Sequence, residues 1–213
     1  MKTSLSGVLC ISVQSLALEP VLAPAVAEFK ERYPDVEVVV ESREGAIDLM
    51  RDGADIGIRI GQYISPEMIA VPVSRPTPWL VAGSSAFLEK HGRPAEPRDV
   101  LNFHCIRRSW LDSERYYRWE FVQNGQSIRI DPPAGLTVTD FATAIALLTR
   151  DVGLCYITDD MLRAARAIAP VEQVLGEYMP PPDQIYAYYS PGMKNVRRVS
   201  AFVDILRRRM KKC

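Results

Sequence analysis

Short apolar runs alternate with apolar stripes at helical spacing along most of the chain, the pattern of strands feeding helices. Leu5 to Val13 reads as a strand, and Leu18, Val21, Leu22, Ala25, Val26, Phe29 and Tyr33 come after it as one helical face. Pro20 suits a first helical turn. Pro24 would remove an interior hydrogen bond, so the helix is expected to start late or bend there. Val36 to Glu41 is mostly β-branched and extended, Ala46 to Arg51 is a short helix stopped by Gly53, and Asp55 to Ile60 is a further strand. Strands alternating with helices imply a parallel sheet with right-handed crossovers, and such sheets bind ligands outside the carboxyl ends of their strands.

Met68 to Val73 and Trp79 to Ala82 are short strands punctuated by Pro76 and Pro78. Ser84 and Ser85 offer an N-cap to a helix over Ala86 to His91, which opens a second α/β lobe. Its clearest piece is Leu136-Thr137-Val138 as a strand, Thr139 as a cap, Asp140 to Thr149 as a helix, Gly153 as its stop and Leu154 to Ile157 as a strand. After the stiff Pro180-Pro181-Pro182-Asp183, Ile185 to Tyr189 makes one more strand. Val196, Val199, Val203, Leu206 and Met210 then recur at spacings of 3, 4, 3 and 4, a stripe that needs a core to cover, and the first lobe supplies it. The expected fold class is α/β: two Rossmann-like lobes, residues 1–82 with 188–213 and residues 83–187, joined by two hinge strands.

Composition narrows the function. With 213 residues and 47% hydrophobic content the chain can bury ordinary cores. Basic and acidic residues both number 26, so the chain lacks the basic excess that phosphate-backbone binding usually leaves, and by itself it is a poor candidate for DNA binding. The start has no apolar stretch leading to a small-residue cleavage site, and nowhere do about 18 apolar residues run unbroken, so neither export nor a membrane span is expected. Cys10, Cys105, Cys155 and Cys213 are far apart, and three of them sit in apolar strand-like runs. They read as reduced thiols in a cytoplasm.

Reactive chemistry is sparse. Gly53, Gly57 and Gly61 fall four apart, but no Lys-Ser or Lys-Thr comes next and the stretch reads as a strand, not a phosphate loop. His104 beside Cys105 has only His91 as a second histidine and no Cys-x-x-Cys, which favours a structural role over metal. Gly83-Ser84-Ser85 is not a nucleophile elbow. Asp159 and Asp160 suit the start of a helix, and Arg207-Arg208-Arg209 with Lys211-Lys212 suit a solvated helix end. No catalytic residue, metal ligand set or cofactor is expected, and the chain does not read as an enzyme.

Several stretches together resemble the effector-binding domain of LysR-type transcription regulators. They are Phe29-Lys30-Glu31-Arg32-Tyr33-Pro34-Asp35-Val36-Glu37-Val38, Asp55-Ile56-Gly57-Ile58-Arg59-Ile60-Gly61, Ala86-Phe87-Leu88-Glu89-Lys90-His91-Gly92-Arg93-Pro94, His104-Cys105-Ile106 and Leu136-Thr137-Val138-Thr139-Asp140. Their order and spacing cover nearly all the chain. The resemblance implies a type II periplasmic-binding-protein fold, a cytoplasmic regulator, a small-molecule effector in the cleft between the lobes, and homodimers of side-by-side antiparallel domains within a parent homotetramer. The helix Leu18 to Tyr33 has more apolar positions than one lobe face needs and is the candidate for part of the dimer contact. DNA would be bound only through the family's N-terminal winged helix-turn-helix, which is absent from this chain. Either it was cut away or the protein never had it, and a Met placed just before a sensor boundary favours the first. The chain departs from the family at Arg150-Asp151-Val152-Gly153, where two glycines are usual, at Thr158, where a proline is frequent, and at Gln14-Ser15-Leu16-Ala17, which lacks the usual Ser-Phe pair.

The expected effector contacts lie at the strand ends. Gln14, Ser15 and Leu16 precede one helix N-terminus, and Thr139, Asp140 and Phe141 open another, where unpaired N–H groups favour a carboxylate. Ser15 and Thr139 are read in two ways, as simple caps or as ligand contacts. Ser42 ends one strand, with Arg43 beside it, and Gly61 and Gln62 end another. Arg107, in the stretch Arg107 to Ser109, either pairs with a carboxylate of the effector or is merely solvated. Two rival readings are a periplasmic solute receptor on the same fold and an enzyme built on it.

Overall fold

In a computed structural model of the chain, residues 5–44, 47–109 and 116–212 are described. Strand β1 (Gly7–Val13) leads into one helical run of three pitches: a 3₁₀ turn over Ser15–Ala17, a π turn over Leu18–Leu22, then α1 (Ala23–Arg32). Pro24 accounts for the change of pitch before α1. The π turn sends the Ala23 N–H to the Leu18 carbonyl, five residues back, so Pro24 falls in the first turn of α1, where no donor is missed. The late start expected at Pro24 is found.

Strands β2 (Val36–Ser42), β3 (Ile56–Ile60) and β4 (Ile69–Pro72) come next. The short helix expected from Ala46 to Arg51 does not form. Ala46 lies outside the described residues, and Asp48 to Ala54 make a single turn: Asp48 Oδ1 accepts from the N–H groups of Met50 and Arg51 at 3.0 and 3.2 Å, and Ala54 N–H returns to the Leu49 carbonyl at 2.9 Å. Gly53, at φ +70°, closes it. An aspartate cap and a glycine stop five residues apart leave room for no more.

The chain then runs through β5 (Trp79–Ser84), α2 (Ser85–His91), β6 (Cys105–Arg108), β7 (Trp119–Gln123), β8 (Gln126–Ile130), β9 (Leu136–Val138), α3 (Phe141–Leu148), β10 (Leu154–Thr158), α4 (Asp159–Arg166) and β11 (Val171–Val174), and finishes with β12 (Ile185–Tyr189) and α5 (Arg197–Lys212). It divides into two compact units, Met1–Pro76 with Asp183–Cys213, and Thr77–Pro182. The crossings therefore fall at 76/77 and 182/183, not near 82 and 188. The reason is strand pairing: Trp79–Ser84 pairs with β10 and β11 of the second unit, while Ile185–Tyr189 pairs with β3 and β4 of the first.

The first unit holds a sheet of order β2-β1-β3-β12-β4. β1, β2 and β3 are parallel, as the alternating pattern implies, but β12 runs antiparallel to both its neighbours. It returns from the other unit without a crossover helix, so nothing forces it parallel. All five residues of β3 are buried, whereas the edge strand β2 exposes Val39 and Val40. α5 covers this unit's core, with Val199, Val203 and Leu206 of the expected stripe buried and Phe202 meeting Phe29 of α1 edge-on at 5.3 Å. Val196 and Met210, at the ends of the stripe, are only half-buried.

The second unit has a sheet of order β11-β5-β10-β6-β9 and a separate β7-β8 hairpin. Tyr156 ties the two together: its ring stacks with both Trp79 and Trp119, at 5.3 and 5.8 Å, and its hydroxyl donates to the Glu120 carbonyl at 3.1 Å. Ser84 caps α2, its oxygen accepting from the Phe87 N–H. Two local expectations are corrected. The cap of α3 is Asp140, not Thr139, because the Asp140 carboxylate accepts both the N–H and the hydroxyl of Thr143, at 2.8 and 2.9 Å. α3 is closed by Asp151 at φ +62°, not by Gly153. Gly153 serves close packing instead, since a Cβ there would lie 2.5 Å from the His104 carbonyl oxygen.

Candidate functional site

In the first unit the parallel register carries Val13, Ser42 and Ile58 to one carboxyl edge of the sheet. Six of the ten expected contact residues stand on it. Gln14 and Ser15 leave β1, Leu16 comes next and is buried, Ser42 is exposed at the end of β2, and Gly61 and Gln62 begin the 3₁₀ turn after β3. Gln14 is fully buried. Its N–H donates to the Ile58 carbonyl at 2.9 Å and its Oε1 accepts from the Ile60 N–H at 3.3 Å, which leaves Nε2 buried without an acceptor.

Ser15 does not cap the helical run; the N-cap position is Gln14, without a side-chain bond. Ser15 instead gives both its N–H, at 2.9 Å, and its hydroxyl, in a very short contact, to Glu44 Oε1. Sequence reasoning passed over Glu44. The only signal was its place two residues beyond Ser42, which the β1–β2 register sets alongside Ser15. Behind this edge, on the same face of the sheet as Gln14, Ser12 accepts from the buried Arg59 guanidinium at 3.1 Å, and Tyr188 lies over Gly57, where a Cβ would fall 2.2 Å from its ring.

The other four expected residues gather in the second unit. β10, β6 and β9 are parallel, with Arg107 opposite Thr137 and Arg108 opposite Val138, so Arg107, Thr139, Asp140 and Phe141 share one carboxyl edge. Phe141 is buried beneath the Arg108 guanidinium, 4.3 Å from its ring centre. Thr139 is half-buried, and Asp140 is committed to Thr143. Thus each helix start expected to offer free N–H groups to an anion already holds a carboxylate of the chain.

Arg107 differs. Only 8% of it is exposed, its guanidinium lies 3.6 Å from the Tyr116 ring centre, one terminal nitrogen donates to the Pro132 carbonyl at 3.2 Å, and Nε has no acceptor. Among the described residues no carboxylate pairs with it. A buried guanidinium held by one carbonyl and a ring keeps unmet capacity for an anion.

Among the described residues no group of three or more His, Cys, Asp or Glu side chains converges as a metal site would require, and no helix is long and apolar enough to cross a membrane. A groove of about 1540 Å³ runs along α1 and α5, but none of the ten expected residues lines it. Its charges balance locally, with Glu28 bridging Arg32, Arg208 and Arg209.

The family model described as the LysR substrate binding domain matches residues 2–211, and the chain belongs to that family. Among curated proteins it is similar to the HTH-type transcriptional activator AaeR of Escherichia coli, 27% identical over 94% of this chain and 64% of that protein, and to the regulator PgrR of the same organism, 22% identical over 95% and 68%. It spans 62% of a Pseudomonas aeruginosa relative that is 25% identical to it. Among solved structures it is similar to the regulatory domain of CrgA from Neisseria meningitidis, with a TM-score of 0.79 and 22% identity over 98% of this chain and 99% of that one. It is also similar to the full-length Vibrio cholerae virulence activator AphB, with a TM-score of 0.80 and 20% identity over 95% and 68%. These likenesses establish the two-lobed type II periplasmic-binding-protein-like fold. The named curated relatives are transcription regulators rather than enzymes.

Proposed function

We propose that this effector-binding domain senses a small metabolite bearing a carboxylate, and that Arg107 receives the carboxylate. The observation that carries the reading is the buried guanidinium of Arg107, with an unmet Nε and no partner carboxylate among the described residues. Bidentate pairing with a ligand carboxylate would satisfy it, and a charge-assisted bond in so dry a setting is a strong one. Gln14, Ser15, Leu16, Ser42, Gly61, Gln62, Thr139, Asp140 and Phe141 complete the proposed contact set. The parent protein, on this reading, is a cytoplasmic, non-catalytic homodimeric regulator, associating further to a homotetramer, whose DNA contacts come from a segment other than this chain. Val39 and Val40, 40% and 43% exposed on opposite faces of the edge strand β2, leave that strand an apolar edge suited to a second copy.

A thermal-shift screen of metabolite carboxylates tests the proposal. A true effector should raise Tm progressively with concentration. Its neutral amide analogue should bind at least about tenfold more weakly, and Arg107→Ala should lose about tenfold or more in affinity, the size expected when one charge-assisted bond is removed. A hit that binds Arg107→Ala unchanged, or whose amide binds equally well, would remove Arg107 from the role.

A further inference from the structure

We infer that Glu44 is a built-in competitor for the effector: its carboxylate occupies the Ser15 donors in the free domain and must leave before a ligand carboxylate can take them. The inference rests on the reading of Ser15 as an effector contact. The geometry supplies the rest. Val13 pairs with Ser42 in the parallel β1–β2 register, and the Arg43 N–H continues that ladder to the Val13 carbonyl at 2.9 Å. The next residue, Glu44, is thereby delivered to Ser15, where one oxygen accepts both the N–H and the hydroxyl. Arg43 meanwhile pairs with Asp52 at 3.2 Å, on the turn closed by Gly53, a tie that does not depend on Glu44.

An external carboxylate has something to gain that Glu44 does not provide. Gln14 Nε2, on the residue next to Ser15, is fully buried and without an acceptor while Glu44 is in place. A ligand reaching both groups would relieve that donor as well as replace Glu44. The cost to the ligand is competition with a tethered group at high effective concentration. If the contact is closed about 90% of the time, the apparent affinity for a carboxylate falls about tenfold, because only the open fraction binds.

The test uses the whole domain, amide hydrogen exchange without ligand, and NMR titration with sodium acetate. In Glu44→Ala, the Ser15 N–H should exchange at least about tenfold faster than in the parent, and acetate should shift the Ser15 amide at about tenfold lower concentration. Glu44→Asp, which keeps the charge but loses one methylene of reach, should behave alike and guards against a folding defect in the first variant. Equal protection of Ser15 in parent and variants would overturn the latch. Release of Ser15 with no acetate response there, or the same acetate midpoint in all three proteins, would overturn the competition. A carboxylate response at Arg107 is read separately, so failure of the function proposed above and failure of this inference give different results.

Discussion

Cys105 and Cys155 lie on neighbouring strands, β6 and β10, and burial pushes both thiols from an ordinary 9.0 up to about 12. The half-buried Cys10 is raised as well, by burial first and by the Asp55 carboxylate second. Unfolded, these thiols would lose their protons near the ordinary value, so between about pH 9 and pH 12 the folded chain holds more protons than the unfolded one, and stability falls as pH rises. Below about pH 9 the contribution is fully present. Tyr188, raised above its ordinary 10.0 by burial, acts in the same direction. The urea midpoint should therefore be level from about pH 7 to 8.5 and fall from about 9 to 10.5, and Cys105→Ala with Cys155→Ala should flatten that fall. An unchanged slope in the double variant would assign the loss to other groups. The free state and strand placement of these thiols were legible in the sequence, because each sits in an apolar run. Glu44 was not, because its partner Ser15 is 29 residues away and no local pattern encodes where a side chain will reach.

The caps give a sharper measure of what local pattern can and cannot say. The sequence reading put the cap of α3 at Thr139, although Asp is the somewhat stronger N-cap type and stands next to it. The structure decides for Asp140, whose carboxylate reaches the N–H three residues on. Asp140→Ala should cost about 1 kcal/mol, lowering Tm by about 2–4 °C in a domain of this size, while Thr139→Ala should leave it nearly unchanged. Equal effects by calorimetry would mean that the cap is shared. The strands β1, β3, β9, β10 and β12 were readable within two residues at each end from apolar runs bounded by Gly, Pro or polar residues. The β7–β8 hairpin went unread, although Asn124-Gly125, with φ of +52° and +75°, is the left-handed pair that joins two strands tightly. Its buried Trp119 and Phe121 alternate with outward residues, so the signal lay in the chain. Helix α1 shows the reverse case, where a weak sequence cue, Pro24, marked a real change of pitch.

The path of the chain makes the two units unequal as folding pieces, although each has its own sheet. The second unit is one continuous stretch, Thr77–Pro182, and every strand of its five-stranded sheet and its hairpin lies within that stretch. Its core, with Trp79, Val81, Phe87, Trp119, Leu148 and Tyr156 buried, is supplied from inside the same residues. The first unit is assembled from both ends of the chain. Its β12 is inserted between β3 and β4, and α5 covers its core, so Met1–Pro76 alone would leave β4 without a partner and bare the face that Phe202, Val203 and Leu206 close. Sequence alone suggested the two lobes and the return of the chain, but it misplaced the crossings by about six residues, because which sheet a short strand joins is settled by non-local pairing. A fragment of residues 77–182 should thus give a dispersed amide spectrum and a single cooperative urea transition, whereas residues 1–76 should give neither until residues 183–213 are added back. A collapsed, non-cooperative 77–182 fragment would show that the second unit depends on the rest of the chain for its fold.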